Sequence, residues 1–195
     1  KSDYDYLIVD SGAPLNGTGG GNRGFDFSFN STNTTIFTGT DKVDHGYGYF
    51  PVTILSGNKY AVTAKISVLN GTALNIITSN GTNFATDQVQ KVIDWPVSGT
   101  YEFTATENAS HIGFGSLNIS GFLSLSVSDF KVEEIRALIT VPVDIAVNGT
   151  GGGNRSFETL FRVQNSNEFL GADENNQGYG YFPVEIRRGK KYKVT

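Results

Sequence analysis

Asn16-Gly17-Thr18-Gly19-Gly20-Gly21-Asn22-Arg23 recurs, letter for letter, as Asn148 to Arg155. Gly46-Tyr47-Gly48-Tyr49-Phe50-Pro51-Val52 recurs as Gly178 to Val184, at the same offset of 132. Aligning 16–63 on 148–195 needs no gap, and 27 of those 48 positions are identical. Internal self-similarity of this length constrains a fold more than any local propensity. The expectation is a duplicated domain of about 130 residues, within the usual size range. Residues 1–135 would be the complete unit and 136–195 the front half of a second copy. The second copy ends at Thr195, the counterpart of Thr63, so nothing in it matches 64–132. Half a sandwich leaves a sheet face and strand edges open. Completion is expected from another copy of the chain, from the first unit, or from further sequence. The missing initiator Met is read as a processed chain or a fragment.

Within one unit the apolar residues alternate with period two, and no segment carries a helical period. Leu7-Ile8-Val9 reads as a short strand and 10–24 as a glycine-rich loop. Phe25, Phe27 and Phe29 alternate with polar residues as a half-buried strand, and 30–45 reads as polar loop around Ile36-Phe37. Strands are expected at 46–55, 60–68, 72–78, 89–95, 101–105, 111–114 and 123–132. Asn70-Gly71 and Asn80-Gly81 supply turns, since both residue types accept positive φ. Phe50, Val62, Ile66, Leu125 and Val127 are the expected core. Eight or nine strands with regular turns predict an all-β chain, specifically a jelly-roll or similar two-sheet β-sandwich repeated in tandem, the second copy incomplete.

Composition narrows the function. Lys plus Arg number 15 against 19 Asp plus Glu, a formal charge of −4, which gives no basic face for nucleic acid. The absence of Cys excludes disulfides, thiolate metal sites and cysteine nucleophiles. No stretch approaches the ~20 apolar residues of a membrane-spanning helix. Gly19-x-Gly21-x-x-Gly24 matches the dinucleotide fingerprint as text, but that motif must open a helix, and here it leads into Phe25-Asp26-Phe27. Catalytic groups are sparse. His45 has Gln177 as its counterpart, His111 begins a short strand, and the spacing of Asp26, Asp94 and Glu102 singles out no carboxylate pair. The chain is therefore expected not to be an enzyme.

Three further sets of residues point to binding or modification. In the GYGYFPV strand, Gly48, Phe50, Val52 and Ile54 share one face and should point to the core. That places Tyr47 and Tyr49 outward, with Tyr179 and Tyr181 in the copy, where exposed rings with a hydroxyl suit stacking on a sugar or a neighbouring subunit. The alternative is packing beneath a loop. Asp41 and Asp44, with Asp173 in the copy, offer hard oxygen ligands for Ca²⁺, although the spacing is not that of an EF-hand and a solvated acidic loop is the alternative. Nine asparagines begin an N-x-[ST] sequon: Asn16, Asn30, Asn33, Asn70, Asn80, Asn108, Asn118, Asn148 and Asn154. Chance would give about three, and the excess points to an N-glycosylated surface protein. Asn-Gly-Thr is also good hairpin chemistry, which accounts for Asn70 and Asn80 but not for Asn30, Asn33, Asn108 or Asn118.

The order GYGYFPVTILSGNKYAVTAKISV, GTALNIITSNG, VSGTYEFTATENASHIGFG and ISGFLSLSVSDFKVEEI resembles the galactose-binding-like, carbohydrate-binding-module jelly rolls of secreted glycosidases and of bacteriophage tail and fibre proteins. The resemblance covers about 46–135 and the start of the second unit. It implies a jelly roll, a structural Ca²⁺ and a glycan ligand. It also implies an extracellular, cell-surface or virion-surface setting. Together the features give a structural module of a fibre, filament or virion appendage that associates with copies of itself. The alternatives are a carbohydrate-binding adhesin module and a glycosylated, S-layer-type repeat protein.

Overall fold

The structure is a computed structural model. It describes residues 4–19, 24–42, 46–69, 74–94, 96–116, 123–138, 145–150, 156–157, 160–165, 168–172, 178–186 and 192. The chain divides into two compact units, Ser2–Arg136 and Ala137–Thr195.

The first unit is all-β apart from one helical turn. Its elements are β1 (Tyr4–Val9), β2 (Leu15–Asn16), β3 (Ser28–Asn33), β4 (Ile36–Asp41), β5 (Tyr47–Ile54), β6 (Lys59–Leu69), β7 (Leu74–Ser79), α1 (Phe84–Asp87), β8 (Gln88–Asp94), β9 (Gly99–Thr104), β10 (Ala109–Ser116) and β11 (Leu123–Ala137). One sheet runs β3-β4-β11-β6-β9, with β1 also paired to β11. The other runs β2-β5-β10-β7-β8. Every strand pairing with a defined register is antiparallel.

The two sheets face each other across one apolar core, giving a β-sandwich. Phe50, Ile54, Ile76, Ile112 and Phe114 from one sheet meet Phe37, Tyr60, Val62, Leu125, Val127 and Phe130 from the other. Phe50 and Phe130 stack face to face across the middle, ring centroids 3.8 Å apart. Of the expected core, Phe50, Val62, Leu125 and Val127 are buried, whereas Ile66 is only half-buried at the margin. The alternation of Tyr60, Val62 and Ala64 sets β6, an inner strand of its sheet between β11 and β9. β11 stays paired to β6 on both sides of an irregularity between Ser128 and Lys131. Asp129 sits there at φ 53°, and its carboxylate forms an ion pair with Lys65 at 2.6 Å. Such a bulge lets one long strand keep its apolar residues inward past a change of twist.

Two local expectations are corrected. The strand expected at Phe25 to Phe29 begins only at Ser28, and Phe27 is exposed. Residues 30–41, expected to be loop, form the β3–β4 hairpin. Its tip turns on Asn33, whose Oδ1 accepts from both the backbone N–H and the hydroxyl of Thr35, each at 2.8 Å. This Asx turn disguises the hairpin, because a polar run that makes its own turn looks like loop in sequence.

The second unit contains β12 (Val147–Asn148), β13 (Leu160–Asn165), β14 (Glu168–Ala172) and β15 (Gly180–Tyr181). β13 and β14 form a hairpin, and β12 pairs with β15. These pairings reproduce β3–β4 and β2–β5 residue for residue: Leu15 opposite Tyr49 and Asn16 opposite Gly48 become Val147 opposite Tyr181 and Asn148 opposite Gly180. The ring cluster Phe25, Phe29, Phe37 and Phe50 likewise returns as Phe157, Phe161, Phe169 and Phe182.

Candidate functional site

The repeated GYGYFPV segment becomes β5, and its two faces do different work. The inward face carries Gly48, Phe50, Val52 and Ile54, as the period-two reading expects. A Cβ on Gly48 would lie 2.6 Å from the Phe37 ring, so only glycine lets that ring close on the strand. The other face carries Tyr47 and Tyr49, and here the expectation of exposure is overturned, because both are 0% exposed.

The tyrosines are covered by a lid built from two loops that are distant in sequence. Phe84 of α1 stacks on Tyr47 with centroids 4.6 Å apart, and Ile77 of β7 packs beside the pair. Helix α1 is held by Asn83, whose Oδ1 accepts from Ala85 N–H, and by Asp87, whose carboxylate accepts from Asn83 N–H at 2.9 Å. The glycine-rich loop closes from the other side. Gly17 N–H donates to Tyr47 O, Thr18 N–H donates to Thr82 O, and the Thr18 and Thr82 hydroxyls bond to each other at 2.9 Å. Gly19 takes φ 111° and lies against the Asn83 side chain, where a Cβ would be 2.8 Å from Oδ1. Gly24 lies against the backbone of Gly17, where a Cβ would overlap its carbonyl oxygen. Gly19 and Gly24 thus serve close approaches, Gly21 lies outside the described residues, and the next regular element described is strand β3.

Beneath the lid, the neighbouring strand β10 meets the tyrosines with glycines. Gly113 lies opposite Tyr49 and Gly115 opposite Tyr47. A Cβ on Gly113 would be 2.7 Å from the Tyr49 ring, and one on Gly115 would be 2.5 Å from the Tyr47 ring. Large rings over bare backbone are a cross-strand pairing that fixes register. The sequence signal is the alternation Ile112-Gly113-Phe114-Gly115, which a strand expected at 111–114 does not by itself explain.

The second device is a side-chain clamp. Asn16 Nδ2–H donates to Phe25 O at 2.9 Å, and Phe25 N–H donates to Asn16 Oδ1 at 2.8 Å. Asn148 and Phe157 make the same two bonds at 2.9 and 2.8 Å. The amide imitates a strand neighbour and closes the base of the glycine-rich loop. It also seats Phe25 between Gly39 and Gly46, and Phe157 between Gly171 and Gly178, where no Cβ would fit.

Asp41 lies in no solvated loop: it ends β4, is buried, and shares the face of Phe37 and Gly39. Asp44, Asp173, His45, Trp95, Asn70, Asn118 and Asn154 lie outside the described residues. Among the described residues no group of three His, Asp or Glu is placed to hold a metal ion, and no helix is long and apolar enough to cross a membrane. Asn16 and Asn148 spend their amide nitrogen on the clamp, whereas Asn30, Asn33, Asn80 and Asn108 are exposed. His111 Nδ1 pairs with the Ser110 hydroxyl at 2.8 Å, and the ring meets Tyr49 edge-on. Burial there holds the imidazole below its ordinary pKa, against a weaker upward pull from Asp87. Asp87 is itself held below the usual carboxylate range by bonds from the Thr86 hydroxyl and Asn83 N–H.

Tyr179 and Tyr181 belong to a copy in which the sequence holds no counterpart of 64–132, the part that covers Tyr47 and Tyr49. They are 59% and 54% exposed. Val184 and Ile186, the counterparts of buried Val52 and Ile54, are 42% and 68% exposed. No protein-family model matches this sequence, and no curated protein is significantly similar to it.

Proposed function

We propose that the chain is a non-catalytic structural module of an extracellular fibre, filament or virion appendage, made of tandem jelly-roll units that associate with one another. The observation that carries this reading is the recurrence of the same registered pairing, β2–β5 and β12–β15, with its phenylalanine cluster, in two units of one chain. Repeated units of one fold ordinarily associate through like surfaces. The interleaved orders β4-β11-β6-β9 and β5-β10-β7-β8 support the jelly roll. The recurrence of the Asn clamp and the phenylalanine–glycine seat at an offset of 132 supports the tandem unit. Sedimentation velocity over a concentration series tests the association. A species larger than a monomer is expected, and a monomer at all concentrations would refute it.

A second reading, an N-glycosylated surface-layer repeat protein, draws support from the exposed edge strand β3, where Asn30 and Asn33 both begin sequons. A glycan-binding face at Tyr47 and Tyr49 is not retained, since a ring with no exposed surface cannot stack on a sugar.

A further inference from the structure

We infer that Asn80 is a site of spontaneous covalent modification, where the chain loses a side-chain amide and the lid over Tyr47 and Tyr49 is loosened. The chemistry needs only water as co-reactant. In an Asn-Gly step the peptide nitrogen of the glycine can attack the asparagine Cγ, because no glycine side chain shields it. The new C–N bond closes a five-membered succinimide. Nδ2 leaves as ammonia, taking the proton of the glycine N–H. Water then opens the ring at one of its two carbonyls. The products are aspartate and isoaspartate, and in the second the main chain runs through the former side chain and is longer by one methylene.

Four Asn-Gly steps occur, beginning at 16, 70, 80 and 148. Asn70 lies outside the described residues. Asn16 is held against reaction at both ends. Its amide is committed to Phe25 by bonds of 2.9 and 2.8 Å, and Gly17 N–H donates to Tyr47 O at 2.8 Å. Asn148 and Gly149 make the same three bonds, the last to Tyr179 O at 2.7 Å. Asn80 has neither restraint. Its side chain is exposed, and no hydrogen bond among the described residues holds its amide. Gly81 N–H reaches the Ser79 hydroxyl at 3.3 Å, longer than an ordinary N–H···O bond.

Modification at this point strikes the anchor of the lid. Asn80 N–H donates to Asp87 O at 2.9 Å, and the Ser79 hydroxyl lies 2.7 Å from Gly81 O and 3.0 Å from Asp87 O. These bonds tie the turn at 80–82 to the end of α1. Thr82 in that turn holds the glycine-rich loop through Thr18. The Asp87 carboxylate already lies against Gly81, where a Cβ would overlap it. A second carboxylate one residue away is repelled by the first. An added methylene in the main chain moves Gly81 and Thr82 out of register with their partners.

The test uses the 195-residue chain made in a host without N-glycosylation, because Asn80 also begins a sequon. The chain is aged in mildly alkaline buffer, folded and in urea, then digested and read by mass spectrometry. In folded protein Asn80 is expected to convert at least about tenfold faster than Asn16, the least expected where three hydrogen bonds must first open. In urea the two rates should converge. Aged folded protein should exchange Thr18 N–H, which donates to Thr82 O, faster than fresh protein. Asn80→Gln, whose reaction needs a six-membered ring, should keep the fresh rate after the same treatment. Equal conversion of Asn80 and Asn16 in folded protein, conversion of Asn80 only in urea, or unchanged exchange at Thr18 after conversion would each overturn the inference.

Discussion

Asn16 and Phe25, nine positions apart at the two ends of a glycine-rich loop, exchange two hydrogen bonds, side-chain amide to backbone peptide. The same exchange joins Asn148 and Phe157. A primary amide has a donor and an acceptor pointing the same way, so it matches the N–H and C=O of one residue as a neighbouring strand would. Asn16→Ala leaves both Phe25 groups part-buried without these bonds. Urea unfolding should show a loss of about 1–3 kcal/mol. Asn16→Asp should not rescue, because it sets a carboxylate oxygen against Phe25 O.

The clamp also decides which sequons a glycan can occupy. In a secretory host with N-glycosylation, mass spectrometry should find Asn33 modified and Asn16 and Asn148 bare. Asn33 is exposed, and its bonds from Thr35 use only Oδ1. Glycan on Asn16 in folded protein would contradict the clamp.

Gly39 and Gly46 flank the Phe25 ring. Gly39→Ala should destabilise by about 1–3 kcal/mol through overpacking. Phe25→Leu in the same chain should recover part of that loss. Strict additivity of the two changes in a double-mutant cycle would show that the ring and the glycine do not meet.

Phe84→Ala removes the ring that stacks on Tyr47. The expected cost is about 2 kcal/mol, below that of emptying a fully buried site, since Phe84 is only partly enclosed. The more specific readout is tyrosine fluorescence quenching by acrylamide, which should rise as Tyr47 gains access to solvent.

His111 is held below its ordinary pKa by burial, so the folded state binds its proton less readily than the unfolded chain does. The stability this gives is complete above the unfolded value of about 6.5 and is lost as pH falls through the folded value. Asp87 is also lowered, so its contribution is likewise present above its unfolded value and lost at more acid pH. Stability measured from about pH 7 down to about pH 5 should therefore fall, and His111→Gln should flatten the slope in that window. An unchanged slope would assign the acid sensitivity to other groups.

Much of the architecture is legible in the chain itself. Period-two alternation locates β5, β6 and β11 to within a few residues, because a strand buried on one face must repeat every second side chain. The β3–β4 hairpin escapes such a reading because its alternation is carried by Asn, Ser and Thr, and its turn by a side-chain bond that leaves no Asn-Gly mark. Asp41 is misplaced for the same reason. Helix α1 escapes it because four residues are too few to show a period.

The all-β class, the repeated segment with its offset, and the partition of β5 into two faces are all present in the letters. These follow from local geometry and from identity of residues. Which of those faces is dry was settled by the fold. Tyr47 and Tyr49 stand on the face opposite the core, and alternation alone makes such a face solvent. They are buried because the glycine-rich loop and the segment that carries α1, far apart in sequence, are tied together over them by Thr18 and Thr82. A residue's burial is set by what arrives from elsewhere in space, and its own letter is silent about that.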